Sequence, residues 1–401
     1  MATALFAPNL LTAEAFTDGP PHPIFDRLRE DEPVYGQPNP LGGGTVWSLT
    51  RFADIRMVGT DKERFTITHG HQFPTPQAHA AAMRDNIMYN DPPRHTRLRS
   101  FAVKAFSPPV VARFQDWIRE LSVEIVDNVL KQGRVDMIPA IAAELPGQVI
   151  CSIMGVPDRD RHNLISWATA VFGRLDPDIG IEKATAAVHT VKQYARELRA
   201  MKEREPGVDM ATELLSAEFG GEPITDSEFT ELVMALVLAG FETTHTLIAQ
   251  SLLMMATDAD VRRQVEQAPA NELGNVVDEL LRMTSPVMHM ARTATQDLEI
   301  HGKRIAKGDI VLMWFTAANR DPRQFDQPHR FIGTRARRGH AAFGGGGPHL
   351  CLGNHLARLE GEILLDEMRK RGLRLELDGK AERARGIFIN ALRRVPMRVA
   401  A

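Results

Sequence analysis

The sequence predicts a mainly α fold with small β-sheets at its margins. Apolar residues recur every three or four positions from Asp54 to about Arg369, broken by Pro-Pro, Gly-Pro and Asp-Pro pairs. One of these runs opens after Thr225 and holds its spacing for about six turns. Short β signals lie near the start and late in the chain. No fixed-period repeat, low-complexity tract or long Pro/Gly/Ser linker divides the 401 residues. The chain therefore reads as one domain, 1–401, with a helix-rich core of about 90–370 and small β regions near both ends.

In chain order, the first strands fall around Pro33–Tyr35 and Thr45–Ser48. Residues 66–90 are irregular and rich in His, Pro and Gln, a functional or surface loop. Thr225-Asp226-Ser227-Glu228 is a capping-box pattern. Phe229, Leu232, Val233, Leu236 and Val237 follow at helical spacing, then Leu247 and Ile248, which predicts a central core helix. At its middle stands Ala239-Gly240-Phe241-Glu242-Thr243-Thr244. Glycine costs a helix interior about 1 kcal/mol, threonine bonds back to the preceding turn, and glutamate is expensive to bury. Such conflict between local and global preference is expected at a functional site, unless Glu242 and the threonines face solvent. Later strands are expected at Leu298–Ile300, Ile310–Trp314 and Leu373–Leu377, the last alternating as L-R-L-E-L.

Composition narrows the function. Hydrophobic residues make up 43% and charged residues 25%, the balance of a soluble globular protein. The net charge of −3 gives no global field for nucleic acid. With Cys151 and Cys351 the only cysteines, neither a disulfide scaffold nor a four-cysteine zinc site can form, which suits a reducing compartment. The first residues, MATALFAPNLLTAEAF, lack the basic region of a secretory signal. The longest apolar run, Leu232 to Phe241, is 10 residues, whereas a membrane span needs about 20. A soluble, cytoplasmic protein is expected.

The strongest chemical segment is Phe343-Gly344-Gly345-Gly346-Gly347-Pro348-His349-Leu350-Cys351-Leu352-Gly353. Its glycines allow the backbone to approach something large and flat. It is no phosphate loop: His349 stands where the third glycine belongs, and no Lys-Ser/Thr follows. It is a poor zinc site, because Cys151 lies in the apolar stretch VICSIMG and reads as a core cysteine. Leu352, Leu356, Leu359 and Ile363 then recur at helical spacing, so Cys351 just precedes a helix N-terminus, where a thiolate is stabilised. Packing is the commonest place for a lone cysteine, but the glycine run and His349 point to a thiolate ligand of haem iron.

FGGGGPHLCLG resembles the cysteine loop of the cytochrome P-450 superfamily. Its longer spacing resembles a bacterial branch that includes mycobacterial hydroxylases of methyl-branched lipids and of the cholesterol side chain. Asp91-Pro92-Pro93-Arg94-His95-Thr96-Arg97-Leu98-Arg99 is similar to the family's C-helix start. Residues 239–244, AGFETT, resemble its oxygen-activation motif, and Glu279-Leu280-Leu281-Arg282 its E-x-x-R pair. Arg292 and Pro328-His329-Arg330-Phe331 follow in the family's order, and the resemblance spans about 20–400. The chain departs from the pattern at Ile332, at Asn390-Ala391 and in the extra residue of the cysteine loop.

The resemblance implies a cytochrome P-450 fold with the long helix over haem b (iron protoporphyrin IX), and Cys351 as the iron's axial ligand. It implies His95, Arg99, Arg292 and His349 as partners of the haem propionates. Glu279 and Arg282, joined by Arg330, would brace the cysteine loop. Glu242 and Thr243 would deliver protons to dioxygen, and Gly240 would open the groove in which it sits. An apolar substrate pocket is expected from Val237, Ala239, Gly240, Val287, Met288 and Phe388. The chain has no ferredoxin-type cysteine run and no dinucleotide fingerprint. Electrons are therefore expected from a ferredoxin and its NAD(P)H-dependent reductase. The docking face would be a basic patch of Arg335, Arg337, Arg338, Arg97 and Lys104. The implied activity is hydroxylation of a terpenoid, steroid or branched lipid with dioxygen. A non-catalytic haem-binding sensor and a peroxide-using haem-thiolate enzyme are the alternatives.

Overall fold

The computed structural model describes residues 7–172, 179–336 and 339–400. The site is carried by helices α1 (Arg94–Ala102), α2 (Glu144–Met154), α3 (Asp226–Thr257), α4 (Leu273–Thr284) and α5 (Asn354–Lys370). Helix α3 begins where the capping box predicts. Thr225 Oγ1 accepts the Glu228 N–H at 3.2 Å, and Glu228 Oε2 accepts the Thr225 N–H at 3.0 Å. The Glu228 carboxylate also takes Arg97 of α1, Nε to Oε1 at 3.0 Å, so the cap ties two helices together. By length and apolarity α3 could cross a membrane, but 78% of its most apolar window is buried inside the protein. A helix apolar on all sides and enclosed by others is a core helix. Its residues join α2, α5 and Gln115–Gln132 in the largest hydrophobic cluster.

The main sheet holds β1 (Val34–Pro38), β2 (Thr45–Leu49), β3 (Phe65–Thr66), β4 (His289–Ala294) and β5 (Ile310–Trp314), in the order β1-β2-β5-β4-β3. β2 and β5 are parallel, and the other pairs are antiparallel. Register pairs Val311 with Arg292, which fixes that arginine on the sheet. A second sheet joins Leu375–Leu377, Pro396–Val399 and Arg134–Asp136. Its first strand is shorter than the alternation predicts. Gly372, at φ +66°, ends α5, and the Leu373 N–H bonds back to Met368 O at 2.9 Å, so Leu373 belongs to the helix cap. β4 gave no alternating signal because five of its six residues are buried. Within 66–90 the chain makes a short helix, Gln77–Ala82, and a single turn, Ile87–Tyr89.

Removing the α3 cap tests its contribution. Thr225→Ala should lower unfolding free energy by about 1 kcal/mol in denaturant titrations, and Thr225→Ser by less. Equal losses would show that the hydroxyl is not the stabilising group.

Candidate active site

Cys351 sits at the end of a loop gripped from three sides. Its N–H donates to Phe343 O at 3.0 Å, which closes the loop. Asn354 Nδ2 donates to Cys351 O at 2.9 Å, fixing the residue just ahead of α5. On the outer side the loop presses against the helix Phe52–Thr60. A Cβ at Gly345 would stand 2.9 Å from Ile55 O, and one at Gly347 only 2.4 Å from Gly59 O. At these two positions the glycines admit protein backbone, not a flat ligand, which corrects the reason given for the run.

Behind the loop lies a buried ion cluster. Arg282 donates bidentately to Glu279, Nε at 2.8 Å and Nη2 at 2.7 Å. Its Nη1 reaches Asn319 O and Pro328 O at 2.6 and 2.7 Å. The third partner is Arg335, whose Nε lies 3.1 Å from both Glu279 oxygens. Arg330 was the wrong expectation. Its side chain is 62% exposed near Asp260, and only its carbonyl meets Arg282, at 3.1 Å. The cluster reaches the cysteine through Asn319, whose Oδ1 accepts the Ala341 N–H at 2.7 Å just before the loop. Burial pushes Glu279 up, but the bonds and charge of Arg282, the Ile332 N–H and Arg335 together hold its carboxyl below the usual range.

His95, Arg99, Arg292 and His349 come together beside the loop. The His95 and His349 rings are 4.0 Å apart, and Arg99 Nη2 donates to Leu350 O at 2.8 Å. Arg292 is 6% exposed and, among the described residues, bonds only its neighbour's carbonyl, Ala291 O, at 2.8 Å. His349 Nε2 is buried without a hydrogen-bond partner among the described residues. Burial, then the charge of Arg99, lowers His95 to about 4; burial lowers Arg292 to about 10, with Asp91 opposing. Burial also drives His349 far down, helped by Arg292, His95 and Arg99. Cys351 shows the converse. Burial pushes its thiol up, while the Gly353 N–H, Arg99 and Arg358 pull it down.

Helix α3 presents Ala239 and Thr243 outward, the first exposed and the second half-buried. Thr243 Oγ1 donates to Ala239 O at 2.7 Å. Glu242 is 4% exposed, and its Oε2 lies 3.6 Å from His245 Nδ1, with no hydrogen bond to either atom among the described residues. Glu242 and Thr244 do not face solvent, whereas Thr243 lies on the outward face. A Cβ at Gly240 would meet Ile150 Cδ1 at 2.9 Å, so the glycine is where α2 packs closely on α3 rather than an opening in the groove. Val287 and Phe388 are half-buried, linked by the Val287–Ile389 bridge and the Met288 N–H to Phe388 O bond at 2.8 Å. Val237 and Met288, each 2% exposed, belong to core clusters instead of an open wall.

Two of the five residues of the expected basic patch are spent in ion pairs. Arg335 serves Glu279, and Arg97 serves Glu228 and Glu222. Arg337 and Arg338 lie outside the described residues; Lys104 is exposed. Sequence reasoning missed Asn319 and Gln250 as fasteners. Gln250 Nε2 reaches Asn390 Oδ1 at 3.2 Å, tying the turn at Asn390 to α3.

These residues fit a haem. No three His, Cys, Asp or Glu side chains converge on a metal position among the described residues, so a metal at Cys351 must bring its other ligands with it. Haem brings a cation to a thiol whose burial resists ionisation, and two carboxylates to cations whose burial resists their charge. Each group gains the opposite charge that its surroundings lack.

A family model described as cytochrome P450 matches residues 179–371. Linalool 8-monooxygenase of Pseudomonas putida is 31% identical over 397 residues, covering 96% of this chain and 97% of that protein. Methyl-branched lipid omega-hydroxylase of Mycobacterium tuberculosis is 30% identical, covering 93% and 90%. Steroid C26-monooxygenase of Mycolicibacterium smegmatis is also 30% identical, covering 91% and 87%. Among solved structures, Mycobacterium marinum cytochrome P450 CYP268A2 with pseudoionone aligns at TM-score 0.90 and 28% identity, covering 99% of this chain and 100% of that one.

The buried ion cluster gives a signed pH test. Glu279 has a folded-state pKa below its unfolded value of about 4.3, so its contribution is complete above that pH and is lost as pH falls through the folded value. At pH 7, Glu279→Gln should cost about 3–5 kcal/mol, because it strands two buried cations. The gap to the wild type in denaturant titrations should narrow as pH drops below about 4. A gap that stays constant with pH would remove the carboxylate from the account.

Proposed function

The chain belongs to the cytochrome P450 family and is a haem b monooxygenase, and from that premise we propose that it hydroxylates an apolar terpenoid, steroid or branched lipid. The observation that carries this reading is the gathering of His95, Arg99, Arg292 and His349 beside the loop that ends in Cys351; the reading puts the outward face of α3 across the haem from them. Three relatives are named for linalool, methyl-branched lipid and steroid oxidation, and the half-buried Val287 and Phe388 offer an apolar wall of the same kind.

Bound haem supplies the iron at which dioxygen is reduced and from which an oxygen atom enters the substrate. Cys351 would hold that iron through Sγ. Arg292, Arg99, His95 and His349 would orient the group by its carboxylates, with arginine suited to the task by its planar fork. Thr243 Oγ1 spends its own proton on Ala239 O, which leaves its lone pairs to hold a water on the outward face. Glu242 Oε2, one residue away and unbonded, would supply the proton. This acid–alcohol pair favours dioxygen chemistry over the peroxide-using alternative, which needs no proton delivery.

Electrons would come from a ferredoxin reduced by an NAD(P)H-dependent reductase in the cytoplasm. Its docking face is proposed around Leu350, 43% exposed, and Val103, 45% exposed, with Lys104 beside them. These residues surround Arg99, whose guanidinium holds the Leu350 carbonyl one residue from Cys351.

Turnover with ferredoxin and reductase tests the reading, on a panel of linalool, cholest-4-en-3-one and a methyl-branched fatty acid. Hydroxylated product from at least one of them is expected. No product from any, despite substrate-induced change in the haem spectrum, would favour the sensor. In the same assay Thr243→Ala should keep consuming NAD(P)H but release more hydrogen peroxide and less product, while Thr244→Ala changes little. Full coupling in Thr243→Ala would overturn the role given to its hydroxyl.

A further inference from the structure

His71 lies on the segment that runs beside β4. Its carbonyl accepts the Ala291 N–H at 2.8 Å, one residue before Arg292. Two residues on, the Phe73 N–H donates to His289 Nε2 at 3.2 Å. The backbone is thus fastened on both sides of the ring. The ring itself stands edge-on to Tyr89, with centroids 4.8 Å apart, and to Phe388 at 5.9 Å. Its Nδ1 is buried and has no hydrogen-bond partner among the described residues. Buried polar atoms in folded proteins nearly always have one, so an atom left over needs an explanation.

His349 Nε2 is orphaned in the same way, and the two histidines share surroundings. Arg292 acts electrostatically on both, and His71 acts on His349 alongside His95 and Arg99. An N–H placed among cations and aromatic edges has one useful partner, an anion.

We infer that His71 is a fifth donor to the haem carboxylates, bonding through Nδ1–H beside Arg292. The inference rests on the reading of Arg292 and His349 as carboxylate partners, and adds a residue outside the four that the sequence pattern implies. A neutral ring suffices. Burial, with the charges of Arg292, His79 and His289, lowers His71 to about 3, so it donates a bond without adding charge to an already cationic cluster. Because the same ring touches Phe388, the segment 66–90 is fastened to the cofactor and to the proposed substrate wall at one residue.

The test is the rate of haem transfer from the holoenzyme to excess apomyoglobin, a readout independent of turnover. His71→Phe keeps the ring's packing and loses the donor, and should release haem about tenfold faster, the loss of one hydrogen bond to a charged group. His71→Gln keeps an N–H and should stay near the wild-type rate. Enzyme loaded with haem dimethyl ester, which has no carboxylate charge, should release it at one rate in wild type and His71→Phe. Arg292→Gln serves as reference. If it accelerates release and His71→Phe does not, the inference fails and the cofactor reading stands. If neither accelerates release, the reading beneath it fails as well. If His71→Phe cannot be loaded, His71→Gln decides. Fast loss from that variant, or equal acceleration with the dimethyl ester, would mean that His71 acts by packing alone and overturn the proposal.

Discussion

A carboxylate with almost no solvent, Glu279, is held between two guanidiniums, and much of the site's shape depends on that contact. Arg282 and Arg335 converge on it from different parts of the chain, and the remaining donors of Arg282 grip the backbone carbonyls of Asn319, Pro328 and Arg330. Those carbonyls lie on an irregular segment that could not otherwise satisfy its polar groups in the interior. Asn319 passes the constraint on by holding Ala341, and the loop to Cys351 starts two residues later. An apolar pair of similar size could fill the same volume, but it could not bind three carbonyls at fixed positions. That argues for a positioning role, since buried ion pairs are weak sources of net stability.

The site itself is organised by burial acting on charge. The thiol of half-buried Cys351, together with His95, His349 and Arg292, is driven toward the neutral form by the protein packed around it. Alone, neither set is comfortable: the cysteine resists becoming an anion and the basic residues resist remaining cations. A flat group carrying a metal cation at its centre and two carboxylates at its edge answers both demands at once. Helix α3 is built differently. It closes on α2 at Gly240 and opens at Ala239 and Thr243, so packing and access alternate along adjacent residues of one helix.

Local chemistry made part of this legible in the sequence. The α3 cap needs only Thr225 and Glu228, three residues apart, and both hydrogen bonds form as the pattern predicts. Glu279 and Arg282 are equally local. Their third partner was not, because nothing in a run of arginines says which one folds back; Arg335 is 56 residues from Glu279. Gly240 was read for what its missing side chain could open, when the deciding fact was Ile150 on another helix. Val237 and Met288 are apolar at the right positions, but hydrophobicity does not distinguish a core wall from a pocket wall. β4 was silent because a strand buried on both faces has no period to show.

The central claim is that this framework holds Cys351, and no other residue, against the haem iron. The carbon-monoxide spectrum of the ferrous enzyme tests it most directly, since the position of that band would report whether a thiolate is a ligand of the iron. Wild type and Cys151→Ser should both show the red-shifted thiolate band, because Cys151 is fully buried in the core with its thiol pushed up to about 12. Cys351→Ser should lose the band. Retention of the thiolate band in Cys351→Ser, or its loss in Cys151→Ser, would contradict the account.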